Sequence, residues 1–184
     1  MMDSHPNIYQ PFPVFIARTL PQISEHRLFQ LKLEDGGTWE RFGHQPGQFI
    51  EVSIFGKGEA PISISSPPTR PDVLEICVRR AGRLTGSLFE LGKGSRLHVR
   101  GPYGRGFPVD KLKGRKLLLV AGGLGLAPLR SLLLYVLDRR EEFKDLILMY
   151  GTNNPDNVLF KYELLSFFDR NDITYFYSVD RDQE

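Results

Sequence analysis

Apolar residues recur along this chain with two different periods. From Val14 to about Val109 they come in short alternating runs separated by glycine, proline and acidic turns. VFIARTL, HRLFQLKLE, QFIEVSIF, APISIS, VLEICVRR and SRLHVR each carry β-branched or aromatic residues in the alternation of a half-buried strand. Six such runs in so short a stretch predict an antiparallel barrel or sandwich. One short helix fits among them, with Thr85 as N-cap, GSLFEL as its turns and Gly92 as its stop. Met1 to Pro13 reads as an extended leader.

Near Lys113-Gly114-Arg115 the period changes. Leu117 to Ala121 is a continuous apolar run, the mark of a strand buried on both faces of a parallel sheet. APLRSLLLYVLDRR follows with helical spacing, and Pro128 suits a first helical turn. Leu146 to Tyr150 reads as a second buried strand, Val158 to Arg170 as a second helix and Ile173 to Asp180 as a third strand. The order β-α-β-α-β predicts half of a doubly wound sheet. The stretch from Leu117 to Leu137 is apolar enough to suggest a membrane span, but Gly122, Gly123, Gly125, Pro128 and Arg130 interrupt it. The opening residues carry neither a basic n-region nor an apolar h-region, so no signal peptide is expected and the cytoplasm is the expected compartment.

Composition narrows the classes. With 41% hydrophobic and 25% charged residues in 184, the chain has an ordinary globular profile. A net charge of +2 gives no footprint for nucleic acid. One cysteine, Cys77, excludes an intrachain disulfide and an iron–sulfur or cysteine-rich metal site built from this chain alone. His5, His26, His44 and His98 lack ligand spacing, so no metal site is expected.

Four stretches carry candidate chemistry. VAGGLGLAPL (Val120 to Leu129) places glycines at the end of a buried strand and directly before a helix. Glycine lets backbone approach a pyrophosphate, and the helix N-terminus offers free N–H groups and a positive dipole end. Without a ligand it would be a tight strand-to-helix turn. RRAGRLT (Arg79 to Thr85) combines cationic side chains, a glycine and a helix start, which suits a diphosphate, and read by itself is equally a solvated basic turn. APISISS (Ala60 to Ser66) sets small hydroxyls on an apolar strand, and GPYGRGF (Gly101 to Phe107) is a tight loop; alone they indicate a strand and a turn.

Together, in this order, the four stretches resemble the ferredoxin–NADP reductase superfamily. Ser63 falls on that family's flavin strand, Gly82 to Thr85 on its FAD-diphosphate turn, Gly101 to Phe107 on its GPxGxGF loop and Gly123 to Pro128 on its GxGxAP nucleotide turn. GEAPISISSPP, VRRAGRLT and VRGPYGRGFPVD are similar to components of multi-subunit reductases: the γ subunit of cytosolic sulfhydrogenases, the corresponding subunit of anaerobic sulfite reductase and the electron-transfer subunit of dihydroorotate dehydrogenase.

The resemblance implies a six-stranded antiparallel Greek-key barrel that binds FAD (residues 14–112) and a doubly wound parallel-sheet α/β domain that binds NAD or NADP (residues 113–184). The leader would be residues 1–13. Hydride would pass between nicotinamide C4 and flavin N5. Ser63 would be the catalytic hydroxyl. Flavin contacts would come from Pro61, Ile62, Ser63 and Ile64, then from Cys77, Val78 and Arg79, and at the diphosphate from Gly82, Leu84 and Thr85. The nicotinamide nucleotide would lie on Gly122, Gly123, Gly125, Ala127 and Pro128, and on Gly151, Thr152 and Asn153.

Three departures shape the expectation. Ala60 and Ile62 stand where many members have an arginine and a stacking aromatic residue, which shifts the diphosphate toward Arg79 to Thr85. Asn153 stands near where the family often has an arginine for a 2′-phosphate, which tilts the choice toward NAD. The family continues through a CGPxxM segment, and the named subunits add a [2Fe–2S] cluster, whereas this sequence ends at Glu184. The expectation is an incomplete nucleotide domain, completed by further sequence or another chain. Partners would be iron–sulfur subunits in a hetero-oligomer. The alternative is a docking or assembly subunit that keeps the fold without the nicotinamide chemistry. A single-chain oxygenase or flavin reductase component is disfavoured by the lack of a fused cluster domain.

Overall fold

A computed structural model describes residues 9–180. Most of the expected leader, residues 1–8, lies outside the described residues. Its end does not: β1 (Phe12–Ile23) begins at Phe12, and Phe12 and Pro13 pair with Val99 and His98.

Six strands form one antiparallel sheet: β1, β2 (His26–Leu33), β3 (Phe49–Ile54), β4 (Gly58–Ser63), β5 (Leu74–Arg79) and β6 (Arg96–Tyr103). Their spatial order is β4-β3-β6-β1-β2-β5. A bridge between Ile64 and Ile76 brings the two edges together and closes the barrel, which removes exposed strand edges. The alternation read from the sequence is the alternation observed. Val14, Ile16, Phe29, Leu31, Ile50, Val52, Ile76 and Val99 all point inward and are buried. A turn unforeseen in the sequence, Trp39–Phe42, adds two rings to this core; Trp39 Nε1 donates to the Leu31 carbonyl at 3.0 Å and meets Phe42 edge to face. Helix α1 (Arg83–Glu90) buries Leu84 and Leu88.

After the short α2 (Val109–Leu112), three strands form a parallel sheet in the order β7 (Leu117–Gly122), β8 (Leu146–Thr152), β9 (Thr174–Val179). Helices α3 (Leu126–Asp138) and α4 (Lys161–Ser166) connect them. One face of the sheet, with Leu119, Leu148 and Tyr150, packs against Leu133 and Val136 of α3 and Leu164 of α4. Leu28 and Cys77, on the outside of the barrel, join this second core, so the two sheets share one apolar seam.

Three sequence expectations need correction. Leu117 to Ala121 is not buried on both faces: Leu118 is 57% and Val120 66% exposed. Both helices lie on the opposite face, so Val120, Met149 and Phe176, which are register partners, form a bare apolar strip. The second helix starts at Lys161, not Val158, because Phe160 takes a left-handed conformation (φ 53°) that begins the helix late, and its last turn tightens over Phe167–Asp169. Thr85 is not an N-cap. Gly82 occupies that position, and Thr85 sits inside the first turn. Among the described residues no helix is long and apolar enough to cross a membrane.

Candidate functional site at the seam of the two sheets

The β1–β2 turn of the barrel faces the carboxyl ends of β7 and β8. Between them lies a cleft of about 680 Å³. Ser24, Glu25, His26 and Arg79 line its barrel side, and Gly122 to Leu124 with Gly151 to Asn153 line the other. The carboxyl ends of parallel strands, beside a helix N-terminus, are where α/β sheets bind ligands.

The glycine turn is shaped for close approach. Gly122 ends β7 in extended conformation, and Gly123 takes φ 49°, where a side chain is strained. The chain then tightens through Gly123–Gly125 into α3. A Cβ placed on Gly122, Gly123 or Gly125 would meet no atom within 4 Å, so the backbone opens onto free space. Tyr150, buried on β8, holds the turn: its hydroxyl donates to the Gly123 carbonyl at 3.2 Å and accepts from Leu159 N–H at 3.3 Å. Ala127 is buried in the core and Pro128 half-buried in the first turn of α3, so both shape the helix start.

On the barrel side, Arg79 ends β5 exposed and opposite His26 in register. Arg80 N–H donates to the Glu25 carbonyl at 2.8 Å and fixes the turn. Burial, and then the Arg79 charge, hold His26 below the usual imidazole range, so the ring is neutral at pH 7. Its buried Nδ1 makes no hydrogen bond. An unmatched buried nitrogen at a cleft wall is a position for a bound group or water. Across the cleft, the Thr152 hydroxyl is engaged by the Asn154 carbonyl and Tyr177, both at 2.9 Å, and Asn153 accepts from Asn157 at 2.8 Å. Open glycine backbone, one arginine and an unmatched imidazole nitrogen fit a dinucleotide with its pyrophosphate on the glycine turn.

The structure thus gathers Arg79, Gly122, Gly123, Gly151, Thr152 and Asn153 around one cleft. The flavin-strand candidates lie outside its lining. Ser63 ends β4 half-buried and paired with Phe49; Pro61 is exposed and Ile62 half-buried. Ile64 and Val78 point into the barrel core and Leu84 is buried under α1, so their side chains serve packing. Cys77 packs in the seam, where burial pushes its thiol up to about 12. In the turn expected to hold a diphosphate, the Thr85 hydroxyl accepts from Ala81 and Gly82 N–H, both at 3.0 Å, and so shapes the turn from below. A Cβ on Gly82 would meet nothing, which leaves its outer side open. Sequence reading missed Ser24, Glu25 and Asp180; no local motif marks them, and the docking of the two sheets brings Ser24 and Glu25 to the cleft that Asp180 also lines.

By fold the chain resembles ferredoxin–NADP reductases, and its second half resembles an oxidoreductase NAD-binding domain. The family model described as "Oxidoreductase NAD-binding domain" matches residues 119–184. Ferredoxin-NADP+ reductase from Plasmodium falciparum superimposes with a TM-score of 0.78 at 17% identity, covering 100% of this chain and 75% of that one. More specifically, the chain is similar to sulfhydrogenase 2 subunit gamma of Pyrococcus furiosus, 42% identical over 86% of this chain and 54% of the relative. It is 35% identical to the probable dihydroorotate dehydrogenase B (NAD(+)) electron transfer subunit of the same organism, over 73% of this chain and 49% of the relative. The chain therefore spans about half the length of these relatives.

Proposed function

We propose that this chain is the FAD-containing reductase part of a multi-subunit oxidoreductase, passing hydride between NAD(P)H and FAD and exchanging electrons with an iron–sulfur partner subunit. The observation that carries the reading is the cleft in which the glycine turn of an oxidoreductase NAD-binding domain faces Arg79 and His26 of a flavoreductase-type barrel. The barrel, residues 14–112, would hold FAD, and residues 113–184 the nicotinamide nucleotide. The flavin would supply the redox chemistry, accepting or returning a hydride at its ring.

This chain's residues have narrower tasks. Ser63 would place a hydroxyl by the reacting ring, between Pro61 and Ile62 on one side and Ile64 on the other. Arg79, Gly82 and Thr85 would bind and shape the FAD diphosphate, with Cys77, Val78 and Leu84 packing behind them. Gly122, Gly123 and Gly125 would receive the second pyrophosphate at the start of α3, with Ala127 and Pro128 fixing that helix. Gly151, Thr152 and Asn153 would border the nucleotide, and the neutral Asn153 favours NAD over NADP. With a single cysteine among these 184 residues, an iron–sulfur centre would lie outside them, and the sulfhydrogenase likeness supports a hydrogenase- or sulfite-reductase-like hetero-oligomer; the cytoplasm would be its compartment.

The bare strip of Leu118, Val120, Met149 and Phe176 favours a second reading, a docking subunit that keeps the fold without nicotinamide chemistry. Anaerobic titration separates the two. The purified protein should carry FAD, close to one per chain, and NADH should bleach it more readily than NADPH. Release of FMN alone, or of no flavin, would overturn the flavin assignment. FAD that neither nucleotide bleaches or binds at millimolar concentration would leave the docking reading.

A further inference from the structure

Arg130 lies on α3, roughly one and a half turns after Gly125. It is 6% exposed, in the middle of an apolar helix. Its Nε and Nη2 donate to the two oxygens of Glu163 on α4, at 2.8 and 2.7 Å. Its Nη1 donates to Glu75 Oε2 on barrel strand β5 at 2.6 Å and to the Ser65 carbonyl at 3.1 Å. The guanidinium also lies 4.7 Å from the centre of the Phe160 ring. The next residue, Ser131, donates its hydroxyl to the Ser66 carbonyl at 2.7 Å.

Ser65 and Ser66 follow Ser63, the end of β4, after Ile64. They are stitched to the same glutamate: Ser65 N–H donates to the Glu75 carbonyl at 2.8 Å, and Glu75 N–H to Ser66 Oγ at 2.9 Å. Two turns further along α3, Asp138 accepts from Thr69 and Arg70. Helix α3 is therefore fastened along its length to the segment that leaves β4. One end of that helix is the glycine turn. Glu163 and Phe160 extend the joint to α4, which follows the Gly151–Asn153 border of the cleft.

We infer that Arg130 is a positioning residue, which with Glu75, Glu163 and Ser131 fixes the distance and angle between the strand end at Ser63 and the nucleotide turn at Gly122–Gly125. The inference rests on the functional reading above. A buried arginine with two carboxylates is a poor way to gain stability, since apolar packing of the same volume does as well. It supplies direction instead: a planar fork holds two carboxylates and a carbonyl at set angles. The apolar contact of Leu28 and Cys77 at the same seam has no such directionality. Hydride transfer needs that precision, because a displacement of about 1 Å can cost roughly a hundredfold in rate.

The test uses the purified FAD-loaded protein and the variants Arg130→Lys, Glu75→Gln and Ser131→Ala. Arg130→Lys keeps the charge and loses the fork. It should slow single-turnover flavin reduction by NADH roughly tenfold to a hundredfold, while FAD content and the NADH dissociation constant stay within about threefold. Amide hydrogen exchange should rise in residues 63–70 and 123–131 and stay unchanged in β1 and β2. Glu75→Gln and Ser131→Ala should move rate and exchange in the same direction by less, and they decide the matter if Arg130→Lys loses its fold. Wild-type reduction rates in the folded variants would overturn the inference. So would a loss of NADH affinity in proportion to rate, or exchange raised across the whole barrel, both of which mean general loosening. A wild type that NADH does not reduce overturns the functional reading, and the positioning role with it.

Discussion

Gly122→Val separates what the glycine turn does for the fold from what it does for a ligand. Gly122 has φ −121° and ψ 133°, ordinary strand values that valine prefers. Its added Cβ meets nothing within 4 Å. The free protein should therefore hold its stability to within about 0.5 kcal/mol. Gly122 lines the cleft, however, and new methyls there would project into open space at its wall. They occupy the space from which a phosphate oxygen would reach the turn's N–H groups. Losing two such charge-assisted hydrogen bonds, at about 1.5–3 kcal/mol each, predicts about 3–6 kcal/mol of lost binding. That is roughly a hundredfold to ten-thousandfold weaker nucleotide affinity. Isothermal titration with NADH and NADPH, beside a thermal melt, reads both quantities. Two neighbours serve as controls. Gly123→Ala places a side chain at φ 49° and should cost about 1–2 kcal/mol of stability. Gly125→Ala, at φ −59° with open space around it, should stabilise by about 0.4–1 kcal/mol. Unchanged nucleotide affinity in a folded Gly122→Val protein would refute the placement of the pyrophosphate.

Three further outcomes follow from the same geometry. Ser63→Ala should slow stopped-flow flavin reduction roughly tenfold to a few hundredfold, the scale of one well-placed hydrogen bond, with FAD content retained; an unchanged rate would leave Ser63 as a strand residue. Thr85→Val removes the acceptor for Ala81 and Gly82 N–H, so it should lower FAD retained per chain after desalting and cost about 1 kcal/mol in a melt. Burial holds His44, and burial with Arg79 holds His26, below their unfolded value of about 6.5. The unfolded chain then takes up protons first, so stability is full above about pH 6.5 and is lost as pH falls through it. His44→Gln, which keeps an N–H donor for the Ser66 carbonyl, should flatten the pH 7.5 to 5.5 decline in melting temperature, and an unchanged slope would remove His44 as a cause.

Much of this architecture is local and could be read from the chain. Alternation is a property of each strand separately, so Val14 to Ile16, Phe29 to Leu33 and Ile50 to Val52 announced an inward face before any partner was known. The glycines at 122, 123 and 125 announced a tight turn for the same reason, since left-handed φ at Gly123 is a property of one residue. Local pattern erred where a neighbour decides. The run Leu117 to Ala121 looks equally apolar whether one or two helix layers cover it, and here the helices cover a single face. Thr85 followed by glycine looks like a cap, yet its hydroxyl reaches back to Ala81 and Gly82 from inside the helix. Apart from Arg79, the barrel wall of the cleft carries no signature, and neither does the Arg130 joint. Arg130 and Glu75 each interrupt an apolar run, and each alone reads as a surface charge. Only the packing of one sheet on the other brings them within 2.6 Å, 55 residues apart in sequence, because a buried charge must find its partner wherever the fold supplies it.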